Sequence, residues 1–394
     1  MPRIIDLTRM LAGPFGTMIL GDLGFDIIKI EERKSGDYTR RTPPYRNGMS
    51  AYFFAGNRNK KSIILDMKNP AGREVVLDLV KSADGVVENF RPGVMDHLNL
   101  GYETLSAVNP RIILVSINGF GSTGPLKDKT SFDLVAQAMA GTMSLSATDD
   151  GEPLKPAIPM GDVGGGIYAA IGLLNAMRER RTTGRGKHLE VSLLDSMVAQ
   201  SAHVGEQFLL GSPKGEQPYR YVPNGVFPTA DGHIVIAAYT DDTWTALCKT
   251  LAWDDYLANR TLGAMEGRTA AGVDIKARLV KDLAAQGNEH WLKRFEQGGV
   301  PAAAVAGMPA VFANPDLAAR NMLPEIPHSM TGPLQTFGNP IRRIGSPYRN
   351  DTLPPPCHGE HTEEVLRTVL GYSDEKIRNL LAAGAWGPPV AATR

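Results

Sequence analysis

Apolar and polar positions alternate between two textures over the first 120 residues. Short runs rich in branched side chains read as strands: Phe25-Asp26-Ile27-Ile28-Lys29-Ile30, Ser62-Ile63-Ile64-Leu65, Gly85-Val86-Val87 and Arg111-Ile112-Ile113-Leu114-Val115-Ser116-Ile117. Between them the period changes to that of a helix. Pro70 suits a first helical turn and opens a face of Val75, Val76, Leu79 and Val80, and Tyr102 to Val108 reads as a shorter helix. Strand and helix in this alternation imply βαβ units, so the fold class is α/β, with a parallel sheet covered by helices. A long apolar run, Ile167 to Met177, predicts a further helix preceded by Pro159-Met160-Gly161-Asp162-Val163-Gly164-Gly165-Gly166.

Past Leu210 the texture changes. Ser212 to Val222 is rich in Pro, Gly and polar residues and reads as a linker. Gly225 to Ile236 reads as a hairpin with Asp231-Gly232 at its turn. Helical stretches follow around Thr243–Leu251, Ile275–Ala285 and His290–Gln297. This predicts a large domain over residues 1–211 and a smaller α+β domain over 222–321. A C-terminal segment over 333–394 follows, proline-rich from Pro333 to Pro356 and ending in a helix at Glu363–Leu370.

Composition narrows the function classes. Lys plus Arg and Asp plus Glu both number 42, so no bulk field favours nucleic acid or an anionic membrane surface. No apolar stretch reaches a membrane span. Cys248 and Cys357 make no disulfide framework and suit a reducing compartment. The N-terminus runs directly into Ile4-Ile5-Asp6-Leu7 without a signal-peptide pattern, and the cytoplasm is the default expectation.

In an open parallel sheet, ligands bind beyond the carboxyl ends of the strands. Three successive predicted ends offer a cation, Arg33, Lys68 and Arg91, which suits a phosphorylated ligand; surface loops carry such residues for solvation as well. The fourth end holds Gly119-Phe-Gly121-Ser-Thr-Gly124, the G-x-G-x-x-G spacing of a dinucleotide loop. That loop must open directly into a helix, whereas here Pro125-Leu-Lys-Asp-Lys-Thr130 intervenes. Cys357-His358-Gly359-Glu360-His361 has metal-ligand residue types, but a tetrahedral site prefers better spaced pairs, and Thr362-Glu363-Glu364 reads as a helix start. No metal site is expected. Asp162 lies where a helix begins, beside glycines. A carboxylate there serves either as the N-cap or as a nucleophile, and its own residues leave both open.

Several segments together resemble family III of the CoA-transferases, typified by formyl-CoA and carnitine CoA-transferases. They are Asp6-Leu-Thr-Arg-Met-Leu-Ala-Gly-Pro14, Ile28-Lys-Ile-Glu31 with Gly36-Asp37-Tyr-Thr-Arg40, Asn59-Lys-Lys-Ser-Ile-Ile-Leu-Asp66, Glu88-Asn-Phe-Arg-Pro-Gly93, Phe132-Asp133-Leu-Val-Ala-Gln137, Gly161-Asp162, Thr183-Gly-Arg-Gly186 and Gly359-Glu-His-Thr362. Each is weak alone; their order and spacing are specific. The resemblance implies that Asp162 attacks an acyl-CoA thioester and passes through an anhydride and an aspartyl-CoA thioester, with its helix start keeping the carboxylate ionised. It implies Leu11 and Ala12 near the thioester, Leu65, Met67, Lys68, Asn89, Phe90 and Arg91 around the adenine nucleotide, and Lys129, Thr130, Ser131 and Phe132 along the pantetheine. His97 falls on a phosphate-binding position, and Arg33 stands in for a CoA-binding arginine replaced here by Glu32. Leu11 replaces a glutamine of formyl-CoA transferase, which puts oxalate and formyl-CoA specificity in doubt. Coenzyme A and acyl-CoA are then substrates, with a free carboxylic acid as acceptor and no permanently bound cofactor.

The resemblance further implies a Rossmann-like large domain to which the C-terminal segment returns, and a homodimer of interlocked subunits. α-Methylacyl-CoA racemases share the family and are the alternative. They pair the aspartate with a histidine at the position of Phe132, which carries no proton. The remaining alternative is a non-catalytic acyl-CoA-binding protein. Roles for Asp133, Arg40, Arg41 and Arg46 stay open.

Overall fold

The computed structural model describes residues 1–148, 150–210, 221–342, 344–345 and 352–389. Most of the linker read at Ser212–Val222, and residues 343 and 346–351 of the proline-rich stretch, lie outside the described residues. The chain divides into two compact units, one of Met1–Ala202 with Ala318–Arg394, the other of His203–Leu317.

The larger unit is built on six strands: β1 (Arg3–Asp6), β2 (Asp26–Glu31), β3 (Lys60–Ile64), β4 (Gly85–Glu88), β5 (Ile113–Asn118) and β6 (His188–Ser192). All pair in parallel, in the order β3-β2-β1-β4-β5-β6. The covering helices are α1 (Ala12–Asp22), α2 (Pro70–Lys81), α3 (Tyr102–Val108), α4 (Asp133–Met139), α5 (Met160–Thr183) and α6 (Leu193–Gln200). One sheet face packs Ile4, Ile27, Ile113, Val115 and Ile117 against residues of α1 and α5; the other packs Ile5, Ile28, Ile30 and Ile63 against α2 and α3. Burial on both faces is why the inner strands read as continuous apolar runs rather than alternating ones.

Glycines let α1 and α5 cross in backbone contact. A Cβ on Gly166 would stand 2.4 Å from the Ala12 carbonyl oxygen, and one on Gly16 would stand 2.5 Å from that of Gly166. The Gly164–Gly166 run is therefore the inside of a helix seam, not the turn that glycine suggests in isolation. Gly166→Ala forces the two backbones apart and is expected to cost about 2–3 kcal/mol. The measurement is a denaturant midpoint; an unchanged midpoint refutes the packing account.

In the smaller unit, β7 (Asn224–Pro228), β8 (His233–Ala237) and β9 (Ala302–Ala304) form an antiparallel sheet in the order β9-β8-β7. Helices α7 (Asp241–Leu251), α8 (Gly272–Leu283) and α9 (Asn288–Gly298) enclose Trp244, Leu279 and Phe295 with it. Back in the larger unit, α10 (Thr362–Thr368) and α11 (Asp374–Ala382) add Val365, Leu366, Ile377 and Leu380 to the α2 face. The approach to α10 also closes the sheet edge. The Ser62 carbonyl accepts from His361 N–H at 2.9 Å, and Ile64 N–H donates to Thr362 Oγ1 at 3.0 Å. Within the Cys-His-Gly-Glu-His cluster, Gly359 N–H donates to Ser62 Oγ at 2.9 Å and His361 Nδ1 accepts from Ser62 N–H, covering the edge strand, while His358 meets the Glu32 carbonyl and Glu360 accepts from Cys357 N–H. No described helix is long and apolar enough to cross a membrane.

Candidate active site

The order of strands reverses between β1 and β4, where the connections leave toward opposite sides, and this opens a crevice at their carboxyl ends. Asn89 bridges it. Its Oδ1 accepts from Arg9 N–H at 2.8 Å, its Nδ2 donates to the Arg9 carbonyl at 2.7 Å, and the Arg9 guanidinium lies 4.6 Å above the Phe90 ring. Beside it lies a cleft of about 210 Å³. Asn89, Phe90 and Arg91 form one wall, and Lys129, Thr130, Ser131 and Phe132 another, so the structure gathers seven of the sequence-identified positions.

Asn118, Gly119, Phe120, Gly121 and Lys127 also line the cleft and were not singled out as ligand contacts. The signal was the glycine motif, misleading only in its usual meaning. Here Glu190 organises the loop, accepting from Asn118 Nδ2 at 2.8 Å and from Ser122, while Asn118 Oδ1 takes Gly121 N–H at 2.5 Å. Gly119 is required because a Cβ would come within 2.1 Å of the Ser131 Cβ on the opposite wall.

Other sequence-identified positions fall elsewhere. Leu65 is sealed in the core, Met67 packs against it, and Lys68 is exposed. Arg33 donates from Nε to the Pro388 carbonyl at 3.1 Å. His97 is exposed and donates from Nδ1 to the Gly93 carbonyl at 2.6 Å. None of these lines the cleft. Leu11 and Ala12 start α1, which has no side-chain cap, and Ala12 meets Gly166 one helical turn beyond Asp162.

The approach to Leu11 is held by buried charge. Met10 has φ 67°, unfavourable for a side-chain-bearing residue, and its N–H donates to Asp37 Oδ1 at 3.1 Å. Asp37 in turn pairs with Lys29 at 3.0 Å, both side chains fully buried. Such pairs are weak sources of stability, and this one fixes a strained turn beside the site. Arg40 is likewise committed. It forks onto both Glu31 oxygens at 2.7 Å, donates to the Pro356 carbonyl and lies 3.6 Å over Phe53, so it is not a free cation for a substrate carboxylate. Arg41 lies over Tyr38 at 5.5 Å, and Arg46 is exposed on a two-residue strand.

Asp162 is not the helix cap. α5 begins at Met160 with Pro159 in the N-cap position, so Asp162 is the third helical residue, and its carboxylate makes no capping bond. Its own N–H donates to Asp133 Oδ1 at 3.1 Å, and Asp133 Oδ2 accepts from Gln137 Nε2 at 2.5 Å. Burial first, and the Asp133 carboxylate second, push the Asp162 carboxyl up to about 7. The expectation that the helix start keeps it ionised is thereby corrected. With no N–H bond to the carboxylate, desolvation and like charge outweigh the helix dipole. Tyr52 stands near the pair: burial raises its hydroxyl, followed by Asp162, Asp37 and Asp133.

Fold and site thus define a protein with a cationic cleft at strand ends and a poised carboxylate at a helix start. The chain belongs to CoA-transferase family III, whose model matches residues 2–362. Human succinyl-CoA:glutarate CoA-transferase is 35% identical over 391 residues, covering 97% of this chain and 88% of the relative. Formyl-CoA:oxalate CoA-transferase of Rhodopseudomonas palustris is 32% identical, covering 98% of this chain and 97% of the relative. The crystal structure of a CAIB/BAIF family protein from Brucella suis matches with a TM-score of 0.82 at 32% identity, over 94% of this chain and 98% of that one.

Proposed function

We propose that the protein moves coenzyme A from an acyl-CoA donor to a free carboxylic acid, with Asp162 as the covalent relay. The observation that carries this is the Asp162 carboxylate, half-buried and uncapped in the first turn of α5, within a chain of this family. A carboxylate oxygen of Asp162 attacks the thioester carbon, and the C–S bond breaks with its electron pair leaving on the CoA thiolate. The thiolate attacks the aspartyl carbonyl carbon of the resulting anhydride and expels the donor as a free carboxylate. The acceptor carboxylate then attacks the aspartyl-CoA thioester, CoA thiolate departs, and its return on the acceptor acyl carbon frees Asp162. No net proton is consumed, so the reactive form is the ionised carboxylate. Backbone N–H groups at the uncapped start of α1, with Leu11 and Ala12, are suited to the developing oxyanions.

In this reading the walls at Asn89–Arg91 and Lys129–Phe132 take coenzyme A; outside the cleft, Met67, Lys68 and the backbone at Leu65, whose side chain is buried, are assigned to the adenine nucleotide, His97 to a phosphate and Arg33 to a further CoA contact. Similarity to the succinyl-CoA:glutarate enzymes favours succinyl-CoA as donor and a dicarboxylate as acceptor. The test mixes succinyl-CoA with glutarate, mesaconate, oxalate and monocarboxylates and follows CoA exchange. No exchange with any acid sinks the proposal. Racemisation is the lesser reading, because Phe132 carries no proton and Asp133 already accepts hydrogen bonds on both oxygens. Dominant exchange of the α-proton with solvent would reinstate it.

Asp133 then sets the pH dependence. Since like charge raises Asp162, Asp133→Asn is expected to move the acid limb of kcat/KM to lower pH by on the order of one unit. An unmoved limb removes Asp133 from this role.

The large domain is read as Rossmann-like, spanning 1–211 with 333–394 returning to it, and 222–321 as the smaller domain. A homodimer with interlocked subunits is part of the proposal. Ile167, Tyr168, Ile171 and Leu174 form an exposed apolar stripe on α5, which suits a second copy.

A further inference from the structure

We infer that Glu88 is a positioning residue for the cleft, its buried carboxylate fixing the Asn89–Arg91 wall in the shape that receives coenzyme A. The inference rests on the reading of the cleft as the coenzyme A site.

Glu88 ends β4 and is 5% exposed. One of its oxygens, Oε2, accepts from Phe90 N–H at 2.7 Å. The carboxylate also takes the Ser116 hydroxyl from the neighbouring strand β5, where Ser116 is its register partner. Ser116 Oγ lies 2.8 Å from His188 Nε2. With the serine hydrogen turned to Glu88, the imidazole N–H donates to the serine oxygen. His188 is itself stacked on Tyr102 at 5.6 Å between ring centres. A chain of side chains on β6, β5 and β4 therefore ends on the backbone of one residue, Phe90, which lines the cleft.

Stability does not explain a carboxylate here. Burial, the largest effect, works against its ionised form, and outweighs the hydrogen bonds from Ser116 and Phe90 that favour it; the nearby acidic groups Glu190 and Asp96 add to the cost. A buried acid without a cation is a net cost to folding. What it supplies is directional: two acceptor oxygens at the one reach that spans from β4 to the Phe90 amide. Without that bond the peptide after Asn89 is free to turn. The Asn89 bridge to Arg9 and the Arg9–Phe90 stacking both depend on its orientation. The wall bears on binding, whereas the reacting carboxylate is Asp162 on another element.

The geometry separates hydrogen bonding from charge. Glu88→Gln keeps the length and an acceptor oxygen for Phe90 N–H. Glu88→Asp keeps the charge but falls one methylene short. Glu88→Ala removes both. Titrating the full-length protein with coenzyme A, and measuring kcat and KM with succinyl-CoA, Asp and Ala variants are expected to weaken CoA binding and raise KM about tenfold, with kcat within about twofold. The Gln variant stays within about twofold of the parent on both. Should Glu88→Ala fail to fold, the Asp and Gln pair decides.

Arg91→Ala and Lys129→Ala serve as references for the cleft itself. If they weaken CoA binding while Glu88→Asp binds normally, the positioning role is overturned and the cleft reading stands. If they leave CoA binding intact, the cleft reading fails and the inference with it. A Gln variant as weak as the Asp variant, or an Asp variant that loses kcat at unchanged KM, overturns the role too.

Discussion

Asp162→Ala is expected to abolish CoA exchange between succinyl-CoA and any carboxylate acceptor, by on the order of 10⁴-fold or more, with coenzyme A still bound. The size follows from what the residue does. Every covalent intermediate of both half-reactions is built on the Asp162 carboxyl group, so its loss removes the route rather than slowing a step. Binding should persist, because the cleft walls at Asn89–Arg91 and Lys129–Phe132 come from other elements. Trapping supplies the second measurement. Hydroxylamine or borohydride added to enzyme and acyl-CoA should modify Asp162 in the parent protein and nothing at that position in Asp162→Asn. Full exchange by Asp162→Ala, or trapping at a different carboxylate, would require another nucleophile.

Much of the architecture was legible because inner strands of a doubly covered sheet are apolar on both sides. The strands read at Phe25–Ile30, Ser62–Leu65, Gly85–Val87 and Arg111–Ile117 correspond to β2, β3, β4 and β5 within a few residues. What escaped has local chemistry at odds with its surroundings. β1 ends in Asp6, fully buried against Lys60 at 3.0 Å, a pairing no short window reveals. Two glycines besides the last-turn Gly21, and Pro14, weaken the helix propensity of α1, which forms because Gly16 fits against Gly166 of α5 and Gly13 against Thr8. As an edge strand, β6 alternates polar and apolar side chains and lacks the run that marked its neighbours. The site was legible as motifs but not as geometry. Residues 29 positions apart, Asp133 and Asp162, become hydrogen-bonded neighbours only through the packing of α4 on α5. Burial in that packing first, and the Asp133 carboxylate second, rather than the helix start itself, decide the state of the carboxylate.

Burial of Asp162 beside Asp133 should make the parent protein less stable than its inactive Asp162→Asn variant above neutral pH. In the folded protein the Asp162 carboxyl releases its proton near 7, against 3.8 for an ordinary aspartate. A carboxyl raised on folding supplies full stability below its unfolded value and loses it as pH rises through the folded value. At pH 8 the folded state must hold the charge in a site that disfavours it, at a cost on the order of 4 kcal/mol, discounted for whatever water reaches the carboxylate. At pH 4 that cost is nearly absent, since the folded protein keeps the proton. An amide carries no charge at either pH, so Asp162→Asn should unfold at a markedly higher denaturant concentration than the parent at pH 8 and at nearly the same one at pH 4. Equal midpoints at both values would mean that Asp162 is not held against its ionisation, and the poised nucleophile would lose its physical basis. A larger gap at pH 4 would reverse the sign and point to an ionised state favoured by the fold. The expected direction has a functional reading. The energy stored in an unfavourably ionised Asp162 is relieved when the carboxylate becomes a neutral acyl group, so the destabilisation of the resting enzyme is returned in the first covalent step.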